Sequence, residues 1–211
     1  MVSKKSTKKP AGSKAAPGGR QGSAKADRKE GPVEVLSSSL SYEGPLFRVY
    51  TDQIRERGVE FPRDVIRHHG SAVILALDSA RSRKDPLLVI ERQYRHAAGQ
   101  YLLEVPAGKL EEGEKPLEGA KRELLEETGF RARRWRKLLR FFPSPGFLGE
   151  AMQVFVAEGL VAGGDRPDYD EQLEVMMLPL SKVLRLIERG KIIDGKTILS
   201  VLFYARGGGR A

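Results

Sequence analysis

The chain has 211 residues, 40% of them hydrophobic, enough to bury a sizeable core in one domain with extensions. Its net charge of +9 is uneven: residues 1–31 carry nine Lys/Arg against two acids, so +7 lies in that segment and +2 in the rest. Without a single cysteine, disulfides, thiol catalysis and thiolate metal sites are excluded.

The opening segment, MVSKKSTKKPAGSKAAPGGRQGSAKADRKEG, is rich in Lys, Gly, Ala, Ser and Pro and almost devoid of large apolar residues. Such a segment cannot bury enough surface to offset its ordering entropy, and the prediction is a disordered basic tail over residues 1–39, with one domain over 40–211. The tail's charge suits a weak polyanion contact or simply a solubilising role. It lacks the apolar stretch of a secretory signal, and no apolar run approaches membrane-spanning length, so the cytoplasm is the expected location and no membrane partner is expected.

From about Leu46 the pattern is strand-like. LFRVYTD, VEFPRDVIRHH, SAVILAL and PLLVIERQY are rich in β-branched and aromatic residues and punctuated by Gly, Pro, Asp and Ser, and QYLLEVPAG adds a short strand ending at Pro106. The first long helical pattern follows, bracketed by Pro116, suited to a first helical position, and Gly129, suited to the left-handed residue past a helix end. Lys115 is a poor N-cap for it. WRKLLRFF, AMQVFVAE and LEVMMLP read as further strands. Two helices close the chain, around Ser181 to Arg189 and Asp194 to Tyr204, with Ser181 and Asp194 as expected N-caps. The fold class is α+β, a mixed sheet with helices packed on it.

The predicted helix over 116–128 crowds Glu123, Glu126 and Glu127 into its last turns, where the negative end of the macrodipole disfavours carboxylates. At roughly 100° per residue, Leu117, Ala120, Leu124 and Thr128 form a core-facing stripe, with Leu125 on its flank. Glu123 and Glu127 lie about 40° apart beside that stripe, close enough to repel. A bound cation reverses the sign of both penalties. Mg²⁺-like ions take oxygen ligands, typically one or two carboxylates plus substrate phosphates. Arg122 reaches Glu126 at i+4 and is placed to orient it. A solvated acidic face is the competing reading of this helix alone.

The whole stretch Gly108 to Phe130 resembles the Nudix box, G-x5-E-x7-R-E-U-x-E-E-x-G-U with U bulky and apolar. Gly108, Glu114, Arg122, Glu123, Leu124, Glu126, Glu127, Gly129 and Phe130 all match. With each fixed residue at a background of roughly 5 to 9%, chance agreement is on the order of one in a billion per starting position, which sets the solvated-face reading aside. The resemblance implies a Nudix-type α/β/α sandwich with a central mixed sheet and an N-terminal antiparallel strand region over 40–68. It implies cleavage of a phosphoanhydride with Mg²⁺ or Mn²⁺. Glu123 and Glu127 are then the principal metal ligands with the Ala107 carbonyl, Glu126 a further ligand or water organiser, and Arg122 its orienting partner.

ERQYRHAAGQYLLEVPAGKLEEGE, FPSPGF with Pro145, YDEQLEV and GKIIDGKTI are similar to the ADP-ribose pyrophosphatase branch of that family. By that likeness the expected reaction converts ADP-ribose, or a related nucleoside diphosphate sugar, into a nucleoside monophosphate and a sugar phosphate. Glu171 is the candidate general base with Asp170 as rival, a solvated loop acid being the alternative. Arg95 and Arg63 are candidates for holding phosphates or terminal ribose, Glu104 for shaping the site, and Pro145 for lining it; either arginine reads equally as a surface charge. The branch commonly dimerises through N-terminal strands, so a homodimer is expected. Other Nudix substrates (GDP-mannose, a dinucleoside polyphosphate, an oxidised nucleotide) and a nucleic-acid-binding module that has lost catalysis are the alternatives. For the basic run RARRWRKLLR, a strand with a charged outer face and Trp135 turned inward is preferred over a nucleic-acid surface.

Overall fold

A computed structural model of the chain describes residues 33–80, 82–163 and 173–207. Ten strands and three α-helices follow in the order β1 (Glu34–Glu43), β2 (Arg48–Glu56), β3 (Val59–Ile66), β4 (Ser71–Asp78), β5 (Leu87–Arg95), β6 (Gln100–Glu104), β7 (Ala107–Lys109), α1 (Pro116–Thr128), β8 (Phe130–Phe141), β9 (Met152–Ala162), β10 (Glu174–Pro179), α2 (Leu180–Glu188) and α3 (Gly195–Ala205). Strands β1 to β3 form a separate three-stranded antiparallel sheet, and the rest form a seven-stranded sheet in which β10, β5, β4, β9 and β8 are successive neighbours. Among the described residues only the β4–β9 pairing in that larger sheet is parallel, so the expected mixed sheet is what forms.

Strand β4 is the spine. Ala72 to Leu77 are apolar on both faces, and none is more than 1% exposed, as a central strand covered on two sides requires. Its alternate side chains feed two cores. Val73, Leu75 and Leu77 join Val183, Ile192 and Val201 from the C-terminal helical region, while Ala72, Ile74 and Ala76 join Ala120 and Leu124 of α1. Helices therefore cover both faces, giving the predicted α/β/α sandwich.

The sheet splits beside the box. β4 and β5 pair only at Leu77–Leu88 and Asp78–Leu87 and then diverge. β6 continues along β5 and β7 along β4, filling the gap between them. β6 is the short strand expected to end at Pro106, and β7, just beyond it, is an additional strand. The backbone changes partners at Val105–Pro106, where the Pro106 carbonyl accepts the Ile74 N–H at 2.8 Å. The divergence brings Ala107 and Gly108 into the middle of the sheet, against α1.

Three further expectations need correction. Residues 34–39, assigned to the tail, belong to β1; a serine-rich strand exposed at every position offers no alternating apolar signal. Ser181 is not an N-cap. α2 begins at Leu180 after Pro179, and Ser181 lies in the first turn, giving its N–H and hydroxyl to Asp85 Oδ1 and Oδ2, both at 2.8 Å. A carboxylate from the β4–β5 connection does the capping instead, and those hydrogen bonds hold the Asp85 carboxyl below its usual range. The strand over Arg131 to Arg140 also extends further than WRKLLRFF, starting at Phe130. Trp135 packs into the α1-side core as expected, its Nε1 donating to Ala132 O at 3.2 Å. Asp194 does cap α3, accepting the Thr197 N–H at 2.9 Å.

Candidate active site

Helix α1 occupies the residues its sequence signals mark out. Gly129 ends it at φ 70, a left-handed conformation, with its N–H bonded to Leu125 O. Lys115 at the N-cap makes no side-chain cap. Glu114 serves the preceding loop, accepting the Glu111 N–H at 3.0 Å.

Ala120 and Leu124 are fully buried beneath α1, and Glu123 beside them is only 9% exposed. Its carboxylate lies against the backbone of Gly108, so close that a Cβ on residue 108 would fall 1.8 Å from Glu123 Cδ. Any side chain there would displace the carboxylate, which is the physical reason for glycine. Burial pushes the Glu123 carboxyl up, and the Arg122 guanidinium opposes that rise. One turn on, Glu127 Oε2 accepts the Ala107 N–H at 3.1 Å. Two acids four residues apart thus abut consecutive residues of β7.

Arg122 ties the arrangement together. Its Nε and Nη2 grip the two Glu114 oxygens at 3.0 Å each, and Nη2 also donates to Lys109 O at 3.0 Å. Nη1 lies 2.8 Å from Glu123 Oε1 and 2.8 Å from Glu126 Oε2. The expected Arg122–Glu126 contact is present, and the arginine in addition braces α1 against the loop. Hydrogen bonding, first of all to Glu114, drives its pKa further above an already high value.

The other predicted residues separate into groups. Arg95 and Glu104 meet in a two-pronged ion pair, Nε to Oε1 and Nη2 to Oε2, both 2.8 Å. Arg63 stays on β3, its guanidinium 4.3 Å from the Phe61 ring centre. Pro145 lies in an exposed turn whose neighbours Phe147 and Gly149 hydrogen-bond the backbone of Ile66, where the N-terminal sheet meets the domain. Glu171 and Asp170 fall outside the described residues. His68 accepts the Gly70 N–H on Nδ1 at 2.9 Å, consistent with a structural role, and burial depresses its pKa. Sequence reasoning missed Lys196, which pairs with the buried Glu104, and Glu150, which accepts the Ser71 hydroxyl. Lys196 lies within GKIIDGKTI, a stretch already similar to the family branch, but nothing local shows that its partner is Glu104; Glu150 lies in no such stretch.

The donor set fits a hard divalent ion. The carboxylates of Glu123 and Glu127 and the carbonyl of Ala107 all offer oxygen donors of the kind such an ion takes, and Gly108 leaves room for Glu123 only because it has no side chain. Among the described residues no three His, Asp or Glu side chains converge into a cage.

An α/β/α sandwich with an acid ridge docked on Gly108 of β7, at a split in its sheet, defines a hydrolase of phosphoanhydrides. The chain belongs to the Nudix family: the NUDIX domain family model matches residues 67–200. An ADP-ribose pyrophosphatase of Bacillus subtilis (strain 168) is 32% identical over 173 residues, covering 81% of this chain and 91% of that protein. A methanol dehydrogenase activator of Bacillus methanolicus matches with the same identity and coverage. The ADP-ribose pyrophosphatase of Mycobacterium tuberculosis (strain ATCC 25618 / H37Rv) is 34% identical over 177 residues, 82% of this chain and 83% of that protein. A crystal structure described as an ADP compounds hydrolase superposes with a TM-score of 0.72 over 87% of this chain and all of the other, at 22% identity, a likeness of fold.

Proposed function

We propose that this protein hydrolyses the phosphoanhydride of ADP-ribose or a related nucleoside diphosphate sugar, releasing AMP or its counterpart and a sugar phosphate. The carrying observation is the seating of Glu123 and Glu127 against Gly108 and Ala107. The similarity to two ADP-ribose pyrophosphatases supports the substrate class.

Glu123, Glu127 and the Ala107 carbonyl would hold the divalent ion, Mg²⁺ or Mn²⁺, with Glu126 beside them. Such an ion neutralises diphosphate charge and makes water a better nucleophile near neutral pH. Arg122 fixes the direction of Glu126 and keeps β7 pressed on α1 through Lys109. Arg95, held rigidly by Glu104, presents a planar cation to a phosphate. Glu171, with Asp170 as rival, accepts the proton of the attacking water. Arg63 and Pro145, from the N-terminal sheet and its junction, line the terminal sugar's side.

A homodimer formed through β1 to β3 belongs to the same reading. It is supported by β1, in which Val35, Leu36, Leu40 and Tyr42 are between 37% and 58% exposed. The basic tail adds a weak polyanion contact, and a nucleoside diphosphate substrate goes with a cytoplasmic location. Among the described residues no helix is long and apolar enough to cross a membrane.

The test is a substrate panel of ADP-ribose, GDP-mannose, dinucleoside polyphosphates and oxidised nucleotides with Mg²⁺ or Mn²⁺, following release of phosphomonoester. Fastest turnover of ADP-ribose or a close analogue is expected. Absence of turnover across the panel overturns the proposal.

A further inference from the structure

The first turn of α3 is fastened to the end of β6 by two tethers that span about half the chain. One is to backbone: the Val105 N–H donates to Thr197 Oγ1 at 2.9 Å, and Thr197 in turn donates its N–H and hydroxyl to the N-cap, Asp194 Oδ2, at 2.9 and 2.6 Å. The other is to a side chain. Lys196 Nζ donates to Glu104 Oε2 and lies 3.2 Å from Asp194 Oδ2. Glu104 is therefore gripped from two sides, by Arg95 and by Lys196.

Burial separates the two cations. The Glu104 and Lys196 side chains are 3% and 11% exposed, whereas Arg95 is 40% exposed. A bridge that served stability alone would be replaceable by apolar packing at little cost, because desolvation offsets most of what a buried pair gains. This one instead anchors a buried carboxylate at one end and delivers a half-exposed guanidinium in a fixed plane at the other. It does so three residues before Ala107, whose N–H meets Glu127 of the acid ridge. Burial raises the Glu104 pKa and the two cations outweigh it, so the carboxyl stays below its usual range and remains an anion.

We propose that Lys196 is a positioning residue for diphosphate recognition: by seating Glu104 it fixes the orientation in which Arg95 meets the substrate. The inference rests on the reading of Arg95 as a phosphate contact. Lys196 touches no substrate itself. Without it, Glu104 loses one of its three donors and the plane of the Arg95 fork is no longer set.

The experiment is steady-state kinetics of the full-length enzyme with ADP-ribose for Lys196→Met, Lys196→Arg, Arg95→Ala and the double variant Arg95→Ala/Lys196→Met, with thermal unfolding alongside. Lys196→Met is expected to raise KM about tenfold while kcat changes less than about twofold, the signature of lost binding common to ground and transition states. Lys196→Arg restores KM to within about threefold, since an arginine also donates to Glu104. In the Arg95→Ala background, Lys196→Met moves KM by less than about twofold, because the two act as one unit. If Arg95→Ala raises KM and Lys196→Met does not, or if their effects multiply, the inference is overturned and the substrate reading stands. If Arg95→Ala leaves KM unchanged, the assignment of Arg95 fails and the inference fails with it. Should Lys196→Met not fold, Glu104→Gln/Lys196→Met removes both charges together; a KM like that of Arg95→Ala supports the proposal, and a wild-type KM overturns it.

Discussion

Strands β4 and β1 are of similar length and opposite character. β4 is buried along nearly its whole length and feeds a core on each face, while every residue of β1 is exposed. β4 is held by packing. β1 is held by the ladder to β2 and by polar side-chain links such as Ser41 Oγ to Thr51 Oγ1 at 2.6 Å and Arg55 to Glu34 at 2.9 Å. The sandwich around β4 seats the acid ridge of α1 by its own packing, whereas the N-terminal sheet leaves apolar side chains of β1 on its surface.

The sharpest way to break this comparison is at the acid ridge. Glu127→Gln removes the charge seated on the Ala107 N–H, and kcat on ADP-ribose should fall on the order of 100- to 1,000-fold with unfolding temperature little changed. Full activity would remove Glu127 from the mechanism. Gly108→Ala comes next. Its methyl group must push Glu123 aside, and misplacing a ligand by about 1 Å costs on the order of 100-fold in rate. An unchanged rate would show that Glu123 can move at no cost.

A matched pair of truncations sharpens the contrast itself. Leu124→Ala, at a fully buried site, should cost about 2 to 5 kcal/mol in urea unfolding. Leu40→Ala on β1, where the side chain is 50% exposed, should cost under about 0.5 kcal/mol within one chain. If β1 forms the dimer interface, Leu40→Ala instead weakens assembly in sedimentation at low protein concentration; equal effects of the two on single-chain stability would erase the distinction.

The smallest effect concerns pH. Glu104 has its pKa depressed on folding, so its contribution is present above the ordinary carboxylate range and is lost as pH falls through the folded value. Glu104→Gln should therefore flatten the fall in unfolding temperature between about pH 5 and about pH 3. A steeper fall in the variant would contradict the sign of the shift.

Much of the site was legible because its residues are local in sequence. Pro116, Gly129 and the apolar stripe through Leu124 are signals read within one helix, and the helix lies where they put it. The acids could be placed on a ridge from the helical repeat alone. What sequence could not show arises from pairs far apart in the chain. Asp85 capping α2, Lys196 reaching Glu104 and the change of partner at Pro106 depend on tertiary contact and leave no local periodicity. The first part of β1, residues 34–39, was missed for another reason: serines on an exposed strand have the composition of a linker, and only pairing with β2 makes it a strand.

The wedge formed by β6 and β7 also limits how this family member can vary. Because Val73 pairs with Ala107 and Ala72 with Gly108, inserting or deleting a single residue between 100 and 109 would turn alternate side chains to the opposite face. A bulky group would then face Glu123 in place of the glycine. Length changes should therefore accumulate elsewhere, in outer connections, while this segment drifts by substitution alone.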